Sequence, residues 1–281
     1  MILDFKIIFT KITKTKQIMI RTLYILLVIS LFSCKEFDDN IENSFENEEV
    51  LVNKNEISND FDFLPTSTTN DVYKRNTYVF SYSEAHEQSE WVAYYLDSND
   101  LKTTNYDRPF FEQDPLVKTE SADWRNYKKS GYDKGHLCPA GDRKATLDEY
   151  NETFFTSNIS PQEHEFNSGV WNRLEEKVRY WALKNDGLYI VTGGVLTDNL
   201  KTIGKEKVSV PNYFYKVLLS KDGSKMISFL VPHQDSDKPL YEFVVSVDEI
   251  EKMTGIDFYP NLPDNLENQL EAKSDYKGWS F

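Results

Sequence analysis

The residues able to do chemistry gather in two short stretches. The first is Tyr132-Asp133-Lys134-Gly135-His136-Leu137-Cys138-Pro139-Ala140-Gly141-Asp142-Arg143, which sets one histidine in a Gly- and Pro-bounded turn among Asp133, Lys134 and Arg143. The second runs from Asn158-Ile159-Ser160-Pro161-Gln162 into Phe166-Asn167-Ser168-Gly169-Val170-Trp171-Asn172-Arg173-Leu174-Glu175, with Arg179 one turn further on. An unperturbed imidazole titrates near pH ~6.5 and can accept a proton at neutral pH. Carboxamide and carboxylate oxygens suit a hard cation that keeps most of its waters. A base, a hard-cation ligand and phosphate-binding cations in one local unit are what metal-assisted phosphodiester hydrolysis needs.

Local elements must hold these groups. Gly131 and the Gly135–Pro139 bracket predict a tight, non-helical backbone for the first stretch. Asn167 begins a predicted helix over 168–184. Leu174, Val178 and Trp181 form its buried stripe, while Trp171, Glu175 and Arg179, spaced by four, share another face. Residues 78–82 and 91–96 read as strands, the second with alternating faces. After the helix, 187–194 reads as a strand, 213–219 and 226–231 as a hairpin around Lys221-Asp222-Gly223, and Val244 to Thr254 as a helix ending at Gly255. No chemistry is assigned to these later pieces, and there is no internal repeat. The two cysteines, Cys34 and Cys138, and the four histidines show no paired spacing for an ordinary zinc site. Cys138 reads as a small buried residue beside the site rather than a nucleophile.

Together the two stretches closely resemble the signature of the DNA/RNA non-specific endonucleases, the ββα-metal nucleases with an Asp-Arg-Gly-His motif. The resemblance runs from about Arg108 to about Pro263. It implies an α+β fold: a mixed central β-sheet flanked by helices, with the site on a β-hairpin–helix unit. It implies that His136 is the general base that activates water. Asn167 becomes the one direct protein ligand of Mg²⁺, with Mn²⁺ as an alternative, and Glu175 holds a water of that ion. Arg179 and Arg108, the latter shortly before Asp114-Pro115, add charge stabilisation. Asn158 matches a family asparagine close to the site, with capping of the loop as its other reading. Lys134 stands where the family carries arginine, so it keeps the charge and loses the bidentate fork; with Arg143 it is a substrate-binding candidate. His164 has no counterpart in the motif and reads as a surface residue. Products would carry 5′-phosphates, from DNA, RNA or both. Family members often dimerise. The alternative is a catalytically inactive, nucleic-acid-binding surface lipoprotein, against which the intact His136, Asn167 and Glu175 weigh.

Three regions divide the chain. Residues 1–33 read as a targeting segment: an apolar run of ten residues, 23–32, follows Arg21 and is short for a bilayer span. It ends in Leu31-Phe32-Ser33-Cys34, which resembles a bacterial lipoprotein signal box, so lipidation of Cys34 would anchor the chain to a membrane. Met19 would be a more ordinary start for such a signal. Residues 34–62 read as an acidic, disordered tether, and 63–281 as the nuclease domain. The expected location is the outer membrane or cell surface. The formal charge of −14 splits into +4 over 1–33, −8 over 34–62 and −10 over the remainder. Yet residues 125–144 carry six bases against two acids. A local basic patch on an acidic body favours a phosphate at one place and disfavours tight coating of nucleic acid.

Overall fold

The computed structural model describes residues 61–281. The expected signal segment, most of the acidic tether and Cys34 lie outside the described residues. Phe61 already packs on Tyr189, with ring centroids 5.5 Å apart. The domain therefore begins at or before residue 61 rather than at 63.

Alternation of side chains along strands places two apolar sets on opposite faces of one sheet. Its strands are β1 (Val72–Lys74), β2 (Val79–Ser83), β3 (Gln88–Leu96), β6 (Leu188–Gly194), β9 (Tyr213–Ser220), β10 (Met226–Pro232) and β11 (Val244–Val245), in that spatial order. Every pairing in this sheet is antiparallel. The one parallel bridge among the described residues, Glu112 with Phe155, lies outside it, so the mixing expected of the sheet is confined there to that bridge. Phe80, Val92, Tyr94, Ile190, Phe214 and Leu218 face helix α2 (Asn172–Lys184) in one core. Trp91, Ala93, Val191, Val217 and Leu219 face helices α3 (Val247–Thr254) and α4 (Asp264–Glu271) in the other. A smaller pair, β7 (Lys201–Ile203) with β8 (Val208–Val210), flanks the site hairpin, and α1 (Leu147–Glu152) lies within its connection.

Helix α2 buries Leu174, Val178 and Trp181, the stripe read from the sequence. It starts later than predicted. Residues Asn167–Trp171 form a π-type turn with Gly169 at φ −99°, ψ −107°, and regular helix begins at Asn172. The Asn167 side chain is engaged elsewhere and caps nothing, so the start is set by the kink. The far end of α2 is held from downstream: Trp181 Nε1 and Lys177 Nζ donate to the Ser280 carbonyl at 3.1 and 3.3 Å. Helix α3 also starts later than predicted, because Val244 and Val245 pair with Phe229 and Ser228 instead. Ser246 then caps it, and Gly255 ends it at φ +72°, where a glycine carries no Cβ penalty.

Candidate active site

The site is built on a hairpin docked against the start of α2. Strand β4 (Asp133–His136) pairs with β5 (Ile159–Gln162), His136 opposite Ile159 and Gly135 opposite Ser160. Gly135 is required there: a Cβ would lie 2.1 Å from Gln162 Oε1. The hairpin thus closes on a residue without a side chain, and His136 follows immediately.

The His136 imidazole packs against Phe154 edge-on at 5.0 Å and against Phe111 at 5.6 Å. Its Nε2 is buried and has no hydrogen-bond partner. Burial, and then the charge of Arg108, push its pKa down to about 3. The ring is therefore neutral across the physiological range, with a lone pair unspent. Arg108 and Lys134 both lie over the Phe111 ring, at 5.5 and 5.2 Å. Burial and Arg108 also lower the Lys134 pKa. Two cations and a neutral imidazole therefore share one aromatic floor.

Asn167 is tied to the same strand. Its Nδ2 donates to Asp133 Oδ2 at 3.1 Å, and His164 Nδ1 meets that oxygen at 2.9 Å. This bond fixes the carboxamide so that Oδ1 is left without a hydrogen bond among the described residues. His164 is exposed, as read from the sequence, but it orients Asp133.

Two turns into α2, Arg179 meets the loop that follows His136. Arg179 Nη1 donates to Asp142 Oδ1 at 2.9 Å, and the Tyr94 hydroxyl donates to Asp142 Oδ2 at 3.0 Å. Glu175 makes no hydrogen bond or ion pair of its own among the described residues. Burial raises its pKa to about 7; Lys216 opposes this, Asp142 adds to it and Arg179 opposes it. Lys216 comes from the middle of β9, fully buried, with Nζ donating to Thr192 Oγ1 at 3.2 Å and lying 4.6 Å over Trp171. Burial lowers the Lys216 pKa, while Glu175 and Asp142 hold it up.

The donors fit a hard divalent cation. The two unspent groups, the fixed Asn167 carboxamide and the unpaired Glu175 carboxylate, both offer oxygen, the donor such an ion prefers.

Two expected site residues do other work. Arg143 is 1% exposed. Its guanidinium donates to the carbonyls of Asp142, Thr77 and Tyr95 at 3.1, 3.0 and 2.8 Å and pairs with Asp100 at 3.4 Å. It braces the sheet edge from within and offers nothing to a substrate. Asn158 is buried, with Oδ1 accepting from Cys138 N–H at 2.8 Å and Nδ2 donating to the carbonyls of Cys138 and Thr153, both at 2.9 Å. Its capping reading is the one the geometry carries. Cys138 is buried, and burial pushes its thiol up to about 12, so it is no nucleophile.

Two residues with a part in the site carried no expectation. Asp142 stood next to last in the first stretch without a role. Lys216 lay in a strand otherwise apolar from Tyr213 to Leu219, at the parity of Phe214 and Leu218, and a lone cation at an inward position was its signal.

A histidine-bearing hairpin docked on a helix that a carboxamide precedes and that carries a carboxylate in its first turn defines a hairpin–helix hydrolytic centre. The chain belongs to the DNA/RNA non-specific endonuclease family, whose pattern matches residues 62–265. It is 36% identical over 218 residues to a mitochondrial nuclease EXOG of Danio rerio, covering 71% of this chain and 63% of that protein. It is 33% identical to nuclease C1 of Cunninghamella echinulata, covering 71% and 87% of the two chains, and 32% identical to a nuclease of Nostoc, covering 75% and 82%. A crystal structure of the EndoG/EndoGI complex contains a chain similar to this one, with a TM-score of 0.62, 30% identity, and 68% and 86% of the two chains covered.

Proposed function

We propose that this protein is a metal-dependent, sequence-non-specific endonuclease acting on DNA, RNA or both. The observation that carries the reading is the neutral His136 imidazole, packed on Phe154 and Phe111 with neither ring nitrogen in a hydrogen bond among the described residues, beside Arg108 and Lys134 on the hairpin that also fixes Asn167. A general base must be unprotonated and must have an open lone pair; this one is held so by two aromatic rings. Asn167 Oδ1 would hold Mg²⁺ or Mn²⁺, and Glu175 would orient the ion's hydration. When bound, such an ion supplies Lewis-acid stabilisation of charge on the phosphate and the leaving oxygen.

The chain's own residues do the rest. Arg108 and Lys134 receive the phosphate over Phe111. The neutral His136 ring takes a proton from water as the oxygen attacks phosphorus in line; the P–O3′ bond breaks and a second water protonates the departing oxygen, leaving a 3′-hydroxyl and a 5′-phosphate. Arg179 is engaged by Asp142, and it keeps α2 and the post-histidine loop in register so that Glu175 faces the site. No base-reading element is needed for a site that addresses the phosphate. Export and membrane anchoring through a lipid on Cys34 belong to the same proposal, as does dimer formation.

The test is cleavage of supercoiled DNA and of RNA by wild type and His136→Ala, after EDTA and with Mg²⁺, Mn²⁺ or Zn²⁺ restored. We expect a loss of at least about 100-fold in the variant. Equal activity in the two proteins, both folded, refutes the reading.

A further inference from the structure

Five acidic side chains converge on the α3–α4 side of the sheet, across from the hairpin and α2. Asp248 and Glu251 belong to α3, Asp257 follows it, and Glu267 and Glu271 are four residues apart on one face of α4. Asp248, Glu251 and Glu271 form one group and Asp257, Glu267 and Glu271 another; within each, one oxygen per residue lies within 4.8 Å of the others. Glu271 is common to both. Among the described residues none of the five makes an ion pair with a Lys, Arg or His.

Acidic residues often gather on surfaces without consequence, but Glu271 is not a surface residue. It is 7% exposed, and its Oε1 is buried with no hydrogen-bond partner. Glu267 Oε1 is buried and partnerless as well. A buried carboxylate without a donor or a cation is the costly arrangement. Burial first, then Glu251, Glu267, Asp257 and Asp248, push the Glu271 carboxyl up to about 8. Glu251 is partly satisfied, since its Oε1 accepts the Phe258 N–H at 2.9 Å.

We propose that Glu271 and Glu267, with Asp257, Glu251 and Asp248, bind a calcium ion between α3 and α4, separate from the hydrolytic centre. The donors are all oxygen, which sets aside zinc and copper. They are also many and flexible. Ca²⁺ takes six to eight oxygens in loose geometry, whereas Mg²⁺ demands an octahedron and commonly accepts only one or two carboxylates. The ion ties α4 to α3 and replaces mutual repulsion by shared attraction. Its role is to hold the C-terminal helix pair on the sheet, and it holds whether or not the nuclease reading stands.

The full chain, stripped with EGTA, is melted while CaCl₂ is titrated, in wild type and in Asn167→Ala so that the hydrolytic centre contributes nothing. Both proteins should gain about 5–10 °C in Tm at a hundredfold excess over Kd. Calorimetric titration of Asn167→Ala with CaCl₂ should show saturable binding. Glu271→Gln should lose the Tm gain while still cleaving DNA in Mg²⁺. If Glu271→Gln does not fold, Glu267→Gln and Asp257→Asn, at less buried positions, carry the same expectation. No gain in Asn167→Ala, or a full gain in the glutamine variants, overturns the site. A Glu271→Gln protein more stable than a calcium-insensitive wild type does so too, and identifies Glu271 as a neutral buried acid.

Discussion

Replacing Lys216 by methionine removes the one cation beneath Glu175 and leaves a side chain of similar length among apolar neighbours. Glu175 and Asp142 then share a buried space with Arg179 as their counter-charge. At an effective dielectric constant of about 20, the lost attraction is on the order of 3 kcal/mol. That is about two pH units on the Glu175 carboxyl. His136, whose pKa is pushed down to about 3, cannot produce an acid limb near neutrality; Glu175, raised to about 7, can. The assay is kcat/KM for cleavage of a plasmid between pH 5 and 10, wild type against variant at one fixed Mg²⁺ concentration and ionic strength. The acid limb should move to higher pH by one to two units in Lys216→Met. The alkaline plateau should be kept to within about tenfold, because the imidazole is untouched. An unmoved limb in a variant with wild-type Tm would show that Lys216 does not govern Glu175, and the electrostatic account of the α2 side of the site would fail. The sign extends to stability. The folded Glu175 carboxyl holds its proton to higher pH than an unfolded one, so its contribution is fully present below about pH 4.5 and lost as pH rises through about 7.

Asn158→Leu leaves buried donors and acceptors of Cys138 and Thr153 unmet; it should cost about 2–4 kcal/mol and lower Tm by about 5–12 °C, read by calorimetry. Arg143→Met should lower Tm by a similar margin yet leave KM for DNA within about twofold once folded protein is normalised, because its guanidinium faces backbone carbonyls. Cys138 should resist iodoacetamide at pH 8 in the native state and react after unfolding, with mass spectrometry as the readout, since its thiol is buried and pushed up to about 12.

The chemistry-bearing motif was legible in the sequence because its residues are local. Gly135, His136, Asn167 and Glu175 fall within one hairpin, the π-type turn after it and the helix that follows, and their spacing is a property of those elements alone. The buried stripe of α2 was legible for the same reason. Boundaries were less so: the helix start moved from 168 to 172 because Asn167 spends its amide on Asp133, a contact no local propensity encodes. What failed was the reading of residues that look alike by type. Arg143 and Arg108 are both motif arginines, yet one is enclosed by carbonyls from 77 and 95 and the other lies exposed over Phe111. Lys216 is the converse case, a long-range supplier to the site whose only local mark is its parity in β9. Long-range placement decides whether a charge braces the scaffold or meets a substrate.

The bonds from Trp181 and Lys177 to the Ser280 carbonyl reach 99 and 103 positions along the chain. A ribosome that has already made the whole catalytic motif must therefore add about a hundred more residues before α2 gains its final support. Activity should consequently lag synthesis, because a nascent chain spends that interval without a fully braced site.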